Sequence, residues 1–213
     1  MLTFYNFPKA PSPRRAEMVL IEKDISYDNV TVDLASGEHF GDAFRAINPS
    51  CTVPALKTGS GEVLTDNHGI LAYLEATYPE PPLLGRTALE KAAVASWQAR
   101  IEFEGLLAIA EALRNSAPAM KGRALTGPHS YEQIPALAER GVKRLGIFWE
   151  VLDQQLEGRD YVATNDFTAA DILAVVAVDF AKIIRQSPRQ HFANLWRWRE
   201  SLHERPSVAK TAP

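Results

Sequence analysis

Cysteine occurs once in the 213 residues, at Cys51, so no disulfide can form within the chain; this fits a reducing compartment. Long hydrophobic runs are missing as well. The longest, Ile172 to Val178, falls far short of the roughly 20 residues needed to cross a bilayer. The first ten residues place Asn6, Pro8 and Lys9 where a signal peptide would keep an apolar core. No charge of one sign dominates: the formal net charge is −3, with neither a basic stripe for nucleic acid nor a charged tail. These absences lead to the expectation of a soluble, cytoplasmic protein with no nucleic-acid or membrane partner. What is present is ordinary: 46% apolar and 23% charged residues, in a chain long enough to bury a sizeable core.

The two parts of the chain carry different periods. In residues 1–78, "LTFYN" reads as a strand and Pro13 to Asp24 as an amphipathic helix. "YDNVTVDL" alternates as a second strand, and Phe40 to Ile47 forms a short helix. "VPALKT" and "EVLT" flank Gly59–Ser60–Gly61 as a hairpin, and Asp66 to Tyr78 returns to helical spacing. The order βαβ, helix, ββα describes a compact α/β unit with a mixed sheet. "YPEPPLLG" (Tyr78–Gly85) then stops the helix, because Pro79, Pro81 and Pro82 cannot continue it.

Beyond this linker, placed at 79–86, residues 87–213 read as all-helical. Helices are expected over Thr87–Arg114, Glu132–Leu156, Asp171–Ile184 and Phe192–Glu204. A loop with Pro118, Gly122, Gly127 and Pro128 separates the first two. In "DFTAADILAVVAV", Thr168 and Asp171 have the spacing of a capping box, and Phe167 and Ile172 that of a hydrophobic staple. The residues that follow are apolar all round, as in a buried central helix. This motif is folding information, not a site.

Three motifs in order resemble the cytosolic glutathione transferase family: "NPSCTVPAL" (Asn48–Leu56), "VLTDNHGILAYLEATYP" (Val63–Pro79) and "FTAADI". With the element order they span nearly the whole chain. "CTVPAL" and "AVDFAK" are similar to the fungal and bacterial Gtt2-like branch. The resemblance implies a thioredoxin-like α/β N-terminal domain that binds glutathione, and an all-α helical-bundle C-terminal domain that supplies most of the electrophile pocket. It also implies glutathione as co-substrate, no metal, a small hydrophobic electrophile as the other partner, and a homodimer.

The same resemblance assigns roles to residues. Val53–Pro54 resembles the cis-proline pair, whose geometry would turn the Val53 backbone toward the cysteinyl unit of glutathione. Asp66–Asn67 opens a helix whose free N–H groups and dipole favour the γ-glutamyl carboxylate, while Asp66 pairs with the ammonium. The family usually has Glu or Gln followed by Ser there. His39 stands where several members face the glycyl carboxylate; an exposed loop histidine is the competing reading.

Thiol activation is the open position. The serine-type branches place their hydroxyl where this chain has Ala10, and the bacterial cysteine type places its thiol where this chain has Ser12. Tyr5 lies within the first strand, separated from the helix by Pro8 and Pro11. Ser12–Pro13 reads as an N-cap followed by proline at the first helical position. The expectation is therefore that the helix end lowers the thiol pKa and that Ser12 organises that end, with a hydrogen bond to the sulfur, without acting as a nucleophile. Arg14 and Arg15 either add positive potential or are solvated.

Arg100, Glu104 and Leu107, at i, i+4, i+7, are candidates for the electrophile wall, with a surface ion pair as the alternative for the first two. His129 and Ser130 either reach over the pocket or face solvent. Cys51, two residues before Val53, serves either mixed-disulfide chemistry or packing. Three functions follow: conjugation of glutathione to an electrophile, glutathione-dependent peroxidase or thiol–disulfide exchange, and a non-catalytic binding protein on the same fold.

Overall fold

The structure is a computed structural model that describes residues 1–8 and 10–213; Lys9, part of the "KAPSP" loop, lies outside them. Strand β1 (Leu2–Asn6) leads into helix α1 (Pro11–Glu22) and strand β2 (Tyr27–Thr31). After a 3-10 turn (Glu38–Phe40) and a single turn of helix α2 (Asp42–Arg45) come β3 (Ala55–Lys57), β4 (Val63–Leu64) and helix α3 (Asn67–Thr77). The sheet order is β2-β1-β3-β4, with β1 parallel to β2 and antiparallel to β3, and β3 antiparallel to β4. The mixed sheet and the hairpin agree with the sequence reading. Helix α2 is shorter than the expected Phe40–Ile47, because Gly41, with an extended backbone, separates it from the preceding turn.

The two faces of β1 set two clusters. Leu2 and Phe4 join Met18, Leu20, Leu56, Ile70 and Leu74 in the main core under α1 and α3. Tyr5 packs instead with Val32, Phe44 and Val53 in a smaller cluster under α2, its ring 6.2 Å from that of Phe44.

The helical part holds α4 (Ala88–Arg100), α5 (Leu107–Arg114), α6 (Pro135–Gln155), α7 (Ala169–Phe180), α8 (Ala193–Ser201) and the short α9 (Pro206–Lys210). The expected long helix over Thr87–Arg114 is present as α4 and α5 joined by π-helical turns at Ile101–Leu106. Thr87 caps it, bonding Glu90 N–H while the Glu90 carboxylate accepts from Thr87 N–H. Helix α6 crosses α5 closely: a Cβ on Gly141 would lie 2.5 Å from the Ala108 carbonyl, so only glycine fits.

Every residue of α7 from Ala169 to Asp179 is buried, which makes it the central helix. At its start the Asp171 carboxylate accepts from Thr168 N–H at 3.0 Å, Val162 N–H at 2.8 Å and Trp198 Nε1 at 3.2 Å. At its end Asp179 pairs with Arg14 of α1 and Arg199 of α8, both at 2.8 Å. Arg14 is thus buried and neutralised rather than solvated, and it locks α1 against α7.

Candidate functional site

A cavity of about 640 Å³ opens where the start of α1 and the segment before β3 meet the α4–α5 helix. That volume lies within the ordinary range for small-ligand sites. Its walls include Ser12, Arg15, His39, Val53, Glu102, Phe103, Leu106, Leu107, Arg114 and Arg123.

At the α1 end the structure corrects the reading of Ser12. Ala10 is the N-cap, with an extended backbone, and helix α1 starts at Pro11. Ser12 therefore sits inside the first turn and, among the described residues, caps nothing. Proline at position 11 already has the φ a helix needs, so the helix begins two residues earlier than the sequence suggested. Proline carries no N–H, so of residues 11–13 only Ser12 has an amide hydrogen to offer at this helix end. The Ser12 hydroxyl oxygen accepts from Asn67 Nδ2 at 2.9 Å and from Arg15 Nη2 at 3.1 Å. A hydroxyl oxygen has two lone pairs, so both are engaged and its remaining function is to donate.

Arg15 continues outward to the Glu102 carboxylate at 3.1 Å, which also meets His68 Nε2 at 3.1 Å. Helices α1, α3 and the π-helical turns are thereby tied at one carboxylate. Glu102 and His68, which the sequence reading missed, line the cavity here.

The Val53–Pro54 peptide is cis, as the motif implied. The segment before it is fixed by Asn48, whose Nδ2 bonds the Thr52 carbonyl at 2.7 Å and whose Oδ1 accepts from Ser50 N–H. Val53 lines the cavity, and among the described residues its N–H and C=O have no backbone partner. Pro54 is buried beneath and does not line it.

Asp66 caps α3, accepting from Gly69 N–H at 2.8 Å, and is exposed. Asn67 and His68 follow as the first helical residues, so their N–H groups lie beyond the reach of helix hydrogen bonding. Asp66 and Asn67 stand beside the cavity rather than in its wall; Asn67 is joined to it through Ser12.

His39 is not an exposed loop histidine. It is 5% exposed, stacks on Phe40 with ring centroids 3.8 Å apart, and its Nδ1 has no partner among the described residues. Burial, then the positive charges of Arg123 and Arg114, hold its imidazole below the usual pKa. Tyr5 is not in the cavity wall but packs on Phe44. Cys51 does line the cavity, yet it is 2% exposed with its Sγ 3.6 Å from the Pro49 carbonyl.

Arg100 and Glu104 do not line the cavity. They pair with each other at 3.4 Å on the surface, 48% and 36% exposed, and Arg100 lies over the Trp97 ring. The lining stripe runs through Ala99, Glu102, Phe103, Leu106, Leu107, Ala110, Leu113 and Arg114, and of the three expected residues only Leu107 belongs to it. The i, i+4, i+7 rule gave a period; the phase depends on where α1 packs. His129 and Ser130 are exposed and outside the lining, with Ser130 donating to the Gly122 carbonyl. The same loop sends Arg123, Leu125, Thr126 and Gly127 over the cavity instead. Gly122 and Gly127, both at positive φ, marked that loop in the sequence as a turn but not which side chains it would present.

Comparison with known proteins agrees with this architecture. Residues 11–77 match the family model "Glutathione S-transferase, N-terminal domain" and residues 120–206 match "Glutathione S-transferase, C-terminal domain". "Glutathione S-transferase 2" of Saccharomyces cerevisiae is 30% identical over 214 residues, covering 98% of this chain and 88% of that protein. The crystal structure of Gtt2 from Saccharomyces cerevisiae superposes with a TM-score of 0.88 at 28% identity, covering 98% of this chain and 99% of that one. A glutathione S-transferase from Methylobacillus flagellatus, solved with glutathione bound, gives 0.84 at 26% identity, with 100% of both chains covered.

Proposed function

The chain belongs to the glutathione S-transferase family, and from that premise we propose that it ionises glutathione at the α1 end of the cavity and adds the thiolate to a small hydrophobic electrophile. Residues 1–78 bind glutathione, and residues 87–213 supply the electrophile wall across the linker at 79–86. Asp66 takes the γ-glutamyl ammonium, the Asn67 and His68 N–H groups take its carboxylate, and the Val53 backbone pairs with the cysteinyl unit. His39 faces the glycyl carboxylate. The family resemblance carries a cytoplasmic homodimer with it.

The observation that supports this reading best is Ser12. With both lone pairs taken by Asn67 and Arg15, its hydroxyl has a proton to give and a cavity in front of it. A sulfur held there receives that hydrogen bond as a thiolate more strongly than as a thiol, which lowers its pKa. The thiolate then forms a carbon–sulfur bond to the electrophile. The thiol proton leaves to water, and the electron pair on the electrophile is either protonated or departs with a leaving group.

Titrating the ultraviolet absorbance of bound thiolate tests the reading in the wild type and in Ser12→Ala. Bound glutathione is expected to ionise well below free glutathione. The variant should raise that value by about 1–2 pKa units, the equivalent of a hydrogen bond to a charged group of about 1.5–3 kcal/mol. Binding without ionisation would make the fold a binding module instead.

A further inference from the structure

The two ends of the cavity are electrically unlike. At the α1 end Arg15 is matched by Glu102. Twelve residues beyond Glu102, at the far end of α5, lies Arg114, and across from it Arg123. Arg114 donates one hydrogen bond, to the Arg123 carbonyl at 2.9 Å, and this pins the loop. Neither guanidinium meets a carboxylate among the described residues. The Arg123 guanidinium lies 5.4 Å over the Phe40 ring with no hydrogen-bond acceptor among them. His39, given above to the glycyl carboxylate, stacks on the same Phe40 ring and so marks where the glutathione end of the cavity borders this group. Burial and Arg123 both disfavour the charge on Arg114, as expected of a cation waiting for an anion.

Between these ends the wall is apolar: Phe103, Leu106, Leu107, Ala110, Leu113 and Leu125. An apolar trough ending in two unmatched guanidinium groups fits a hydrophobic molecule with an acidic head. Resting on the transferase reading above, we propose that Arg114 and Arg123 form a carboxylate subsite for the second substrate, so that the preferred electrophiles are hydrophobic acids. The arginines come from the helical part and continue its apolar wall, which assigns them to the electrophile rather than to glutathione. The glycyl carboxylate of glutathione is the other source of the same chemistry, and the experiment separates the two.

Conjugation of a chlorodinitrobenzoate and of its methyl ester is measured, each rate normalised to the reaction without enzyme, in the wild type and in Arg123→Gln. The variant leaves the backbone carbonyl that Arg114 holds, so the loop keeps its anchor. Wild type should prefer the acid in kcat/KM by about tenfold or more, and Arg123→Gln should remove most of that preference. Equal use of acid and ester by the wild type overturns the proposal. So does a variant that raises KM for glutathione while keeping the acid preference, an outcome that hands the arginines to the glycyl carboxylate. If neither electrophile is conjugated, the transferase reading fails and the subsite is decided by binding alone. Dinitrobenzoate, followed by tryptophan fluorescence, must then bind Arg123→Gln about tenfold more weakly, and equal binding refutes it.

Discussion

Asp66 caps a helix and, in the function proposed above, also holds the glutathione ammonium. It caps α3 through Gly69 N–H, and it is the acidic group nearest in sequence to the open N–H groups of Asn67 and His68. The two roles separate by substitution. Asp66→Asn keeps an oxygen for the cap, so stability should change by only a few tenths of a kcal/mol. Loss of the charge should nevertheless raise KM for glutathione about tenfold or more. Asp66→Ala should lose the cap as well, about 1 kcal/mol in chemical denaturation. An Asp66→Asn enzyme with unchanged KM would show that capping is the only role. Ser12 teaches the complementary lesson. Its candidacy came from its place between strand and helix, but its partners were not legible, because Asn67 is 55 residues away in the chain.

Capping geometry scales up to whole elements. Asp171 is fully enclosed, and burial pushes its carboxyl up to about 6 despite hydrogen bonds from Val162, Thr168 and Trp198. The sign follows from linkage. In the unfolded chain this carboxyl ionises near its ordinary value, so the folded state holds its proton more tightly. Its contribution to stability is therefore greatest at low pH and declines as pH rises from about 4 to about 6, by about 3 kcal/mol. Denaturant titrations across that interval should show the decline in the wild type and lack it in Asp171→Asn. Asp171→Ala should cost about 3 kcal/mol or more at any pH, since it strands the buried Val162 and Trp198 N–H groups. A loss under 1 kcal/mol would contradict this account of the motif. The capping box was readable because both partners lie within one turn. The phase of the α4–α5 stripe was not, because Arg100 and Glu104 satisfy each other on the surface as well as they would have faced a pocket.

Across the whole molecule, one buried carboxylate joins the two parts of the chain. Asp179 receives Arg14 from α1 and Arg199 from α8. Burial opposes its charge, but the hydrogen bonds and charge of Arg199, followed by those of Arg14, outweigh that and hold its pKa below the ordinary carboxylate range. This stability is present above the ordinary value and is lost as pH falls through the lowered one. Asp179→Ala should destabilise by about 3–5 kcal/mol, because two guanidinium groups lose their partner. Thermal unfolding would read this directly, and a fall in Tm of only a degree or so would mean the network is dispensable. The cavity depends on the same packing, since α1 contributes Ser12 and Arg15 to one wall while the helical part contributes the other.

The sequence by itself determined what local rules encode: the strand and helix periods, the hairpin at Gly59–Gly61, the proline break after Tyr78, the capping box and the Val53–Pro54 motif. Each is a matter of neighbours within a few residues, where φ preference, hydrogen-bond capture and hydrophobic spacing act without knowledge of the rest. Only the tertiary structure decided that Pro11 rather than Pro13 begins α1, that Ser12 accepts from Asn67 and Arg15, and that Arg114 and Arg123 share a cavity with His39. Those facts depend on how helices are rotated about their axes and on where a loop settles. Both are fixed by burial summed over distant contacts, which no short window of the chain contains.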